Sequence, residues 1–194
     1  MGSIIKLETY AKENNVPIIR KDGLEFIIDY IKKYNIKNIL EIGTAIGYSA
    51  INMAQTNEDI KVTTIERNEN MYAIARKNIR KFGLEKRITL ILNDALNVNV
   101  TGKYDLIFID AAKAQYIKFF EKFKNNLTQN GVIITDNLNF HGLTKHPEEI
   151  QSKNLRALVK KINNYKEFLQ TNQEFETKFH QIGDGISVSK RKMD

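Results

Sequence analysis

Apolar and polar positions are grouped in a repeating order along the chain between about residues 37 and 136. Short apolar runs typical of buried strands are separated by segments in which apolar residues recur at helical spacing. Strands that alternate with helices in this way predict a parallel sheet covered by helices on both faces. The predicted strands are residues 38–42, 61–65, 88–92, 105–109 and 132–135.

The helical segments place apolar residues three and four positions apart. Ahead of the first strand, Asp22-Gly23-Leu24-Glu25 predicts a capping box that opens a helix. Gly47-Tyr48-Ser49 leads into a second helix, and Gly83 closes a third. The apolar stripes are Leu24, Ile27, Ile28, Ile31 and Tyr34; Met71, Ala75, Ile79 and Phe82; Tyr116, Phe120, Phe123 and Leu127; and Leu155, Leu158, Ile162, Tyr165 and Leu169.

The C-terminal part of the chain departs from the alternating pattern. Two strands, residues 175–182 and 186–189, follow one another with only Gly183-Asp184-Gly185 between them, which predicts a hairpin. We therefore predict an α/β, Rossmann-like fold. Its mostly parallel seven-stranded sheet would end in an antiparallel hairpin, with helices on both faces. The chain is interpreted as a single domain, with an N-terminal helical cap region (1–36) and a Rossmann-like core (37–194).

Composition narrows the possible partners. The 194 residues contain no cysteine, which excludes disulfides and thiolate metal sites and is compatible with the cytoplasm. No apolar run is long enough to span a bilayer, so no membrane is expected. The formal net charge of +7 favours an anionic partner such as nucleic acid, although lysine is abundant throughout the chain and could raise the charge without any partner.

Polar side chains or glycines stand at the end of every predicted strand in the repeating part. Ligands of open parallel sheets bind beyond these carboxyl ends. A single acidic residue there is ordinary turn chemistry, but a row of them along one edge indicates a ligand site. The residues are Glu41 and Gly43, Glu66, Asp94, Asp110, and Asp136 with Asn137.

The first strand is followed by a glycine turn, Glu41-Ile-Gly43-Thr-Ala-Ile-Gly47. Gly43 would allow the backbone to approach a ligand closely, and the next helix would offer free amide groups. The spacing is not the G-x-G-x-x-G dinucleotide pattern. Glu66 is placed to accept hydrogen bonds from ribose hydroxyls, a placement shared by nicotinamide and S-adenosylmethionine enzymes.

Asp110, Asp136 and Asn137 suggest a metal site. If their strands are neighbours, the strand ends lie about 4.8 Å apart and the three side chains can converge. Two carboxylates and an amide are hard oxygen donors suited to Mg²⁺. The alternative is that they are ordinary loop caps.

These segments together resemble the metal-dependent class I O-methyltransferases related to catechol O-methyltransferase. Ile-Leu-Glu41-Ile-Gly43-Thr-Ala-Ile-Gly47-Tyr48-Ser49-Ala is similar to motif I of that family, and Phe-Ile-Asp110-Ala-Ala-Lys113-Ala-Gln-Tyr116 with Asp136-Asn137 is similar to its metal-site segments. The likeness runs from about residue 15 to the C-terminus. Within the family the chain looks most like bacterial tRNA 5-hydroxyuridine methyltransferases, which form 5-methoxyuridine at the wobble position.

The resemblance implies a role for each matching residue. Glu41, Gly43, Tyr48 and Ser49 would surround the methionine part of S-adenosylmethionine, with a backbone contact at Ile19. Glu66 would hold the ribose, Asp94 and Ala95 would flank the adenine, and Asp110 would line the donor site. Asp110, Asp136 and Asn137 would bind Mg²⁺ or another divalent cation, and Lys113 stands at the position of the proposed general base. The family often forms homodimers. The chain has no tryptophan, which puts a catechol acceptor in doubt.

A tRNA anticodon stem-loop is the acceptor expected from this likeness. Arg20, Lys21, Lys32 and Lys33 are candidate phosphate contacts, and Phe140 and His141 are candidates for stacking on an unpaired base. Three other functions stay open. They are a small-molecule O-methyltransferase acting on catechols or vicinal diols, a nicotinamide-dependent oxidoreductase, and a non-catalytic RNA-binding module.

Overall fold

One seven-stranded sheet organises the computed structural model, which describes residues 2–140, 142–144, 148 and 150–192. The strand order is β3-β2-β1-β4-β5-β7-β6, and β7 runs antiparallel to both of its neighbours while the other pairs are parallel. The predicted mixed sheet with a terminal hairpin is confirmed. The strands are β1 (Asn38–Ile42), β2 (Lys61–Glu66), β3 (Ile88–Leu92), β4 (Tyr104–Ile109), β5 (Leu127–Thr135), β6 (Phe175–His180) and β7 (Ile186–Arg191).

Helices cover both faces of the sheet because successive strand residues point to opposite sides. Ile39 of β1 and Phe108 of β4 pack against one group of helices, whereas Leu40 and Ile107 pack against the other. None of the helices in the described part of the chain is long and apolar enough to cross a membrane. On the first face lie α1 (Ile4–Glu13), α2 (Lys21–Tyr34), α3 (Tyr48–Gln55) and α4 (Glu69–Lys81), and on the second lie α5 (Tyr116–Phe123) and α6 (Lys153–Thr171).

Two local predictions are wrong. Helix α2 begins at Lys21 with Arg20 as its N-cap, so Asp22 is not the capping residue. Its carboxylate instead accepts the backbone N–H of Gly183 at 3.2 Å and joins the helix to the C-terminal hairpin. Leu127 was predicted on the α5 stripe but is the first residue of β5, where it pairs with Tyr104.

The turn of the hairpin is held against the segment that follows β5. The backbone N–H of Asn139 donates to the carbonyl of Asp184 at 2.7 Å, and that of Leu138 donates to Gly185 at 2.9 Å. These bonds fix the backbone immediately beyond Asp136 and Asn137. The hairpin therefore supports the end of β5, where two of the predicted site residues lie.

Candidate functional site

A cavity of about 270 Å³ lies at the carboxyl ends of the parallel strands. Its walls come from the residues that follow β1, β2, β3, β4 and β5, together with residues 17–19 ahead of α2. This is the edge at which open α/β sheets bind ligands. Predicted donor-site residues in the walls are Ile19, Gly43, Tyr48, Ser49, Glu66, Asp94, Ala95 and Asp110; Lys113 and Asn137 also line the cavity.

The turn after β1 requires glycine at its first position. Gly43 has φ +98°, and a Cβ added there would lie 2.1 Å from the carbonyl oxygen of Asp110. The backbones of the first and fourth strand ends are thus in direct contact. The turn ends at Gly47, also in the left-handed region, from which α3 begins at Tyr48. Gly43, Thr44 and Ala45 of this turn all line the cavity.

Glu66 holds this turn in place as well as lining the cavity. Its Oε2 accepts the backbone N–H of Thr44 at 3.2 Å and of Ala45 at 2.8 Å, and its Oε1 accepts that of Asn68 at 2.8 Å. An ionised carboxylate can accept about four hydrogen bonds, so about one remains for a ligand hydroxyl. The predicted ribose contact is compatible with that remaining capacity on Oε1.

Glu41 lies behind the cavity wall and does not line it. Its side chain is fully buried and accepts hydrogen bonds from the hydroxyls of Ser49 and Thr64, and Thr64 is bonded in turn to Thr44 at 2.5 Å. Burial raises the pKa of Glu41 to about 8, against the lowering effect of these hydroxyls. Glu41 therefore supports Ser49 and Thr44, which themselves line the cavity.

Asp110, Asp136 and Asn137 lie together at the ends of β4 and β5. The Asn137 amide donates to Asp110 Oδ1 at 3.0 Å and to Asp136 Oδ2 at 3.1 Å. Asn137 has φ +67°, a conformation that asparagine tolerates better than most residues. The β4–β5 pairing brings the two strand ends side by side, since Ile109 is in register with Thr135.

The electrostatics of this group suit a cation. Burial and the neighbouring Asp110 raise the pKa of Asp136 to about 7, and burial raises that of Asp110. Asp136 Oδ1 is buried without a hydrogen-bond partner in the described residues. Among those residues no three His, Cys, Asp or Glu side chains form a cation site, so the candidate has two carboxylates and one amide. An octahedral divalent cation would take such a set and complete its shell with other oxygen ligands.

Lys113 lies in the short turn between β4 and α5, on the cavity wall beside this group. Its Nζ is 5.6 Å from the ring centroid of Phe140, and its charge acts on both Asp110 and Asp136. Phe140 thus packs near the candidate base but is not one of the residues that line the cavity.

The predicted RNA contacts do not all lie at the cavity. Arg20 and Lys21 directly follow the lining residue Ile19 in the sequence and are exposed, but neither lines the cavity. Lys32 and Lys33 lie in the last turn of α2, about 17 Å further along the helix axis. His141 lies outside the described residues.

Several lining residues were not predicted. Arg67 and Asn93 adjoin Glu66 and Asp94, so the strand-end rule could have found them. Gln115 and Phe119 also line the cavity, and the Oε1 atom of Gln115 is buried without a hydrogen-bond partner in the described residues. Phe119 has the spacing of a core residue, and no sequence signal distinguishes it.

A glycine turn after β1, an acidic residue at the end of β2 and a terminal antiparallel hairpin define a class I methyltransferase fold. The family model described as O-methyltransferase matches residues 4–192, and the chain belongs to that family.

Three relatives illustrate the match. The caffeoyl-CoA O-methyltransferase of Populus kitakamiensis is 29% identical over 186 residues, covering 91% of this chain and 78% of the relative. A Staphylococcus aureus structure, provisionally named a caffeoyl-CoA O-methyltransferase, is 43% identical with a TM-score of 0.94, covering 99% and 93%. The Podospora anserina methyltransferase PaMTH1, solved with SAH bound, is 26% identical with a TM-score of 0.80, covering 88% and 78%.

Proposed function

We propose that this O-methyltransferase transfers the methyl group of S-adenosylmethionine to a hydroxyl held beside a divalent cation. The proposal rests on one observation. Asp110 and Asn137 are members of the candidate cation site, which also includes Asp136, and both also line the cavity. A cation held by these residues would lie beside the cavity. An acceptor bound to that cation would then be within reach of the methyl donor.

In this proposal some residues bind the donor and the cation, and Lys113 accepts the proton of the acceptor hydroxyl. The methyl carbon leaves the sulfonium sulfur, which keeps the electron pair of the broken bond, and bonds to the acceptor oxygen. The hydroxyl proton passes to Lys113, which must be neutral to accept it. Asp110, Asp136 and Asn137 would hold a cation that lowers the pKa of the acceptor hydroxyl and orients it. The turn at Gly43 and the carboxylate of Glu66 fix the donor, so positioning supplies much of the acceleration.

For the acceptor we propose a small molecule with a catechol-like or vicinal diol group. Support comes from the relatives, since those named above as caffeoyl-CoA O-methyltransferases are named for a small-molecule substrate. Adjacent hydroxyls could both approach one cation, which would leave one of them facing the donor.

The test is an acceptor panel assayed with methyl-labelled S-adenosylmethionine and Mg²⁺. Catechols, vicinal diols and undermodified tRNA are each incubated with the enzyme, and methylated products are identified by mass spectrometry. Labelled catechol or diol products support the proposal. Label found only in tRNA would refute the small-molecule acceptor, and no binding of S-adenosylhomocysteine would refute the donor.

A second candidate acceptor is 5-hydroxyuridine at the tRNA wobble position, favoured by the charge of +7 and by the exposed Arg20 and Lys21, which follow the lining residue Ile19. It predicts that an anticodon stem-loop binds with an affinity that falls steeply with salt. Replacing Arg20 and Lys21 by alanine should weaken this binding and reduce the salt slope, whereas replacing Lys32 and Lys33 should change it less. Binding that is insensitive to salt would exclude these contacts.

A further inference from the structure

The N-terminal helix reaches the cavity wall through one hydrogen bond. Tyr48, the first residue of α3, lines the cavity and is only 4% exposed. Its hydroxyl donates to Oε1 of Glu8, in the middle of α1, at 2.7 Å. Glu8 lies 40 residues before Tyr48 in the sequence but holds the Tyr48 hydroxyl in position.

Helix α1, which carries Glu8, is packed against the core of the protein. Leu7 and Ala11 are buried in the core beneath the helix, and Glu8 beside them is half-buried. Glu8 and Glu25 both raise the pKa of Tyr48, in addition to the larger effect of burial. The phenol is therefore the donor and the Glu8 carboxylate the acceptor, and such charge-assisted bonds are stronger than neutral ones.

We infer that Glu8 is a positioning residue for the methyl donor, because it holds the Tyr48 hydroxyl and so fixes the ring that forms part of the donor cavity. The inference rests on the proposed function, in which this cavity binds S-adenosylmethionine. Without Glu8 the hydroxyl, buried at the α1–α3 contact, lacks its acceptor. The ring then gains rotamers that do not complete the wall.

Four variants test the inference. Glu8→Ala removes the acceptor, Tyr48→Phe removes the donor, and a double variant removes both. Glu8→Gln keeps an amide oxygen that can accept the phenolic proton. Glu13→Ala is the matched control, because Glu13 is an exposed acidic residue on the same helix.

The readouts are the affinity for S-adenosylhomocysteine by calorimetry, and KM for the donor separately from kcat. We expect Glu8→Ala and Tyr48→Phe each to weaken binding about tenfold and to raise donor KM with a smaller change in kcat. The double variant should be no weaker than either single one, since both changes remove the same bond. Glu8→Gln should recover most of the affinity, and Glu13→Ala should bind like the wild type.

The melting temperature of each variant separates positioning from folding. A Glu8→Ala protein that melts lower but binds S-adenosylhomocysteine as the wild type does would overturn the inference, as would additive effects or no rescue by glutamine. If Glu8→Ala does not fold, Tyr48→Phe and Glu8→Gln decide between the same outcomes. A wild-type protein that binds no S-adenosylhomocysteine refutes the proposed function instead.

Discussion

The amide of Asn137 lies between two carboxylates, 3.0 Å from Asp110 Oδ1 and 3.1 Å from Asp136 Oδ2. Its nitrogen places a partial positive charge where the two acidic groups face each other. Two buried acids that repel each other favour a positive partner at that position. We therefore expect the activity to depend on a divalent cation bound near these groups.

Asp110→Ala should lower kcat/KM by about 100-fold or more, because Asp110 is a proposed cation ligand and also lines the cavity. EDTA should abolish wild-type activity and Mg²⁺ should restore it. The control is Asp59→Asn, an exposed acid paired with Lys37, which should leave activity unchanged. Full activity of Asp110→Ala in EDTA would refute the metal-assisted reaction.

The repeating part of the fold could be predicted because each of its strands is a short apolar run, and β1 and β4 in the middle of the sheet are buried along nearly their whole length. Predicted and observed strands agree closely from Asn38–Ile42 to Tyr104–Ile109. Leu127 was misassigned because an apolar residue at helical spacing is equally compatible with a strand start. The pairing of β5 with β4 shifts register between Tyr104 and Leu106, which periodicity does not reveal.

Spacing alone predicted the site residues that stand at strand ends, whereas Ile19, Tyr48 and Lys113 were named only from the family resemblance. Asp110 and Asn137 were found in this way, and the parallel β4–β5 pairing brings them together. The placement of Glu41 behind the wall depends on the direction of its side chain within β1, toward Ser49 and Thr64. The bond between Glu8 and Tyr48 depends on how α1 packs on α3, and nothing in the local sequence specifies that packing.

Gly43→Ala should destabilise the protein far more than Gly102→Ala. Both glycines have positive φ, +98° and +118°, so both substitutions strain the backbone, by about 1 kcal/mol or more. A Cβ at Gly43 would also lie 2.1 Å from the Asp110 carbonyl, whereas a Cβ at Gly102 meets no atom of the described residues within 4 Å. Urea unfolding compares the two, and equal losses would contradict the close contact between the two strand ends.

Lys113→Ala should lower kcat by about 10²- to 10⁴-fold if the lysine removes the acceptor proton. The affinity for S-adenosylhomocysteine should change little, since the donor itself transfers no proton. Lys118→Ala is the control, because Lys118 is an exposed lysine on the following helix. A variant with normal kcat would show that the proton leaves by another route, and a variant with lost affinity would assign Lys113 to donor binding.

Glu41 predicts a pH dependence of stability that Glu41→Gln should remove. An unfolded glutamate has a pKa near 4.5, whereas burial raises that of folded Glu41 to about 8. Below pH 4.5 both states are protonated, and as the pH rises toward 8 only the unfolded state ionises. The free energy of unfolding of the wild type should therefore fall relative to Glu41→Gln across this window, by an amount on the order of 5 kcal/mol, and change no further above it. Urea unfolding at pH 5, 6, 7 and 8 measures the difference, with the exposed Glu58→Gln as control. A difference that stays constant would mean that Glu41 titrates normally, and one that grows in favour of the wild type would mean that the Ser49 and Thr64 hydroxyls stabilise an ionised carboxylate.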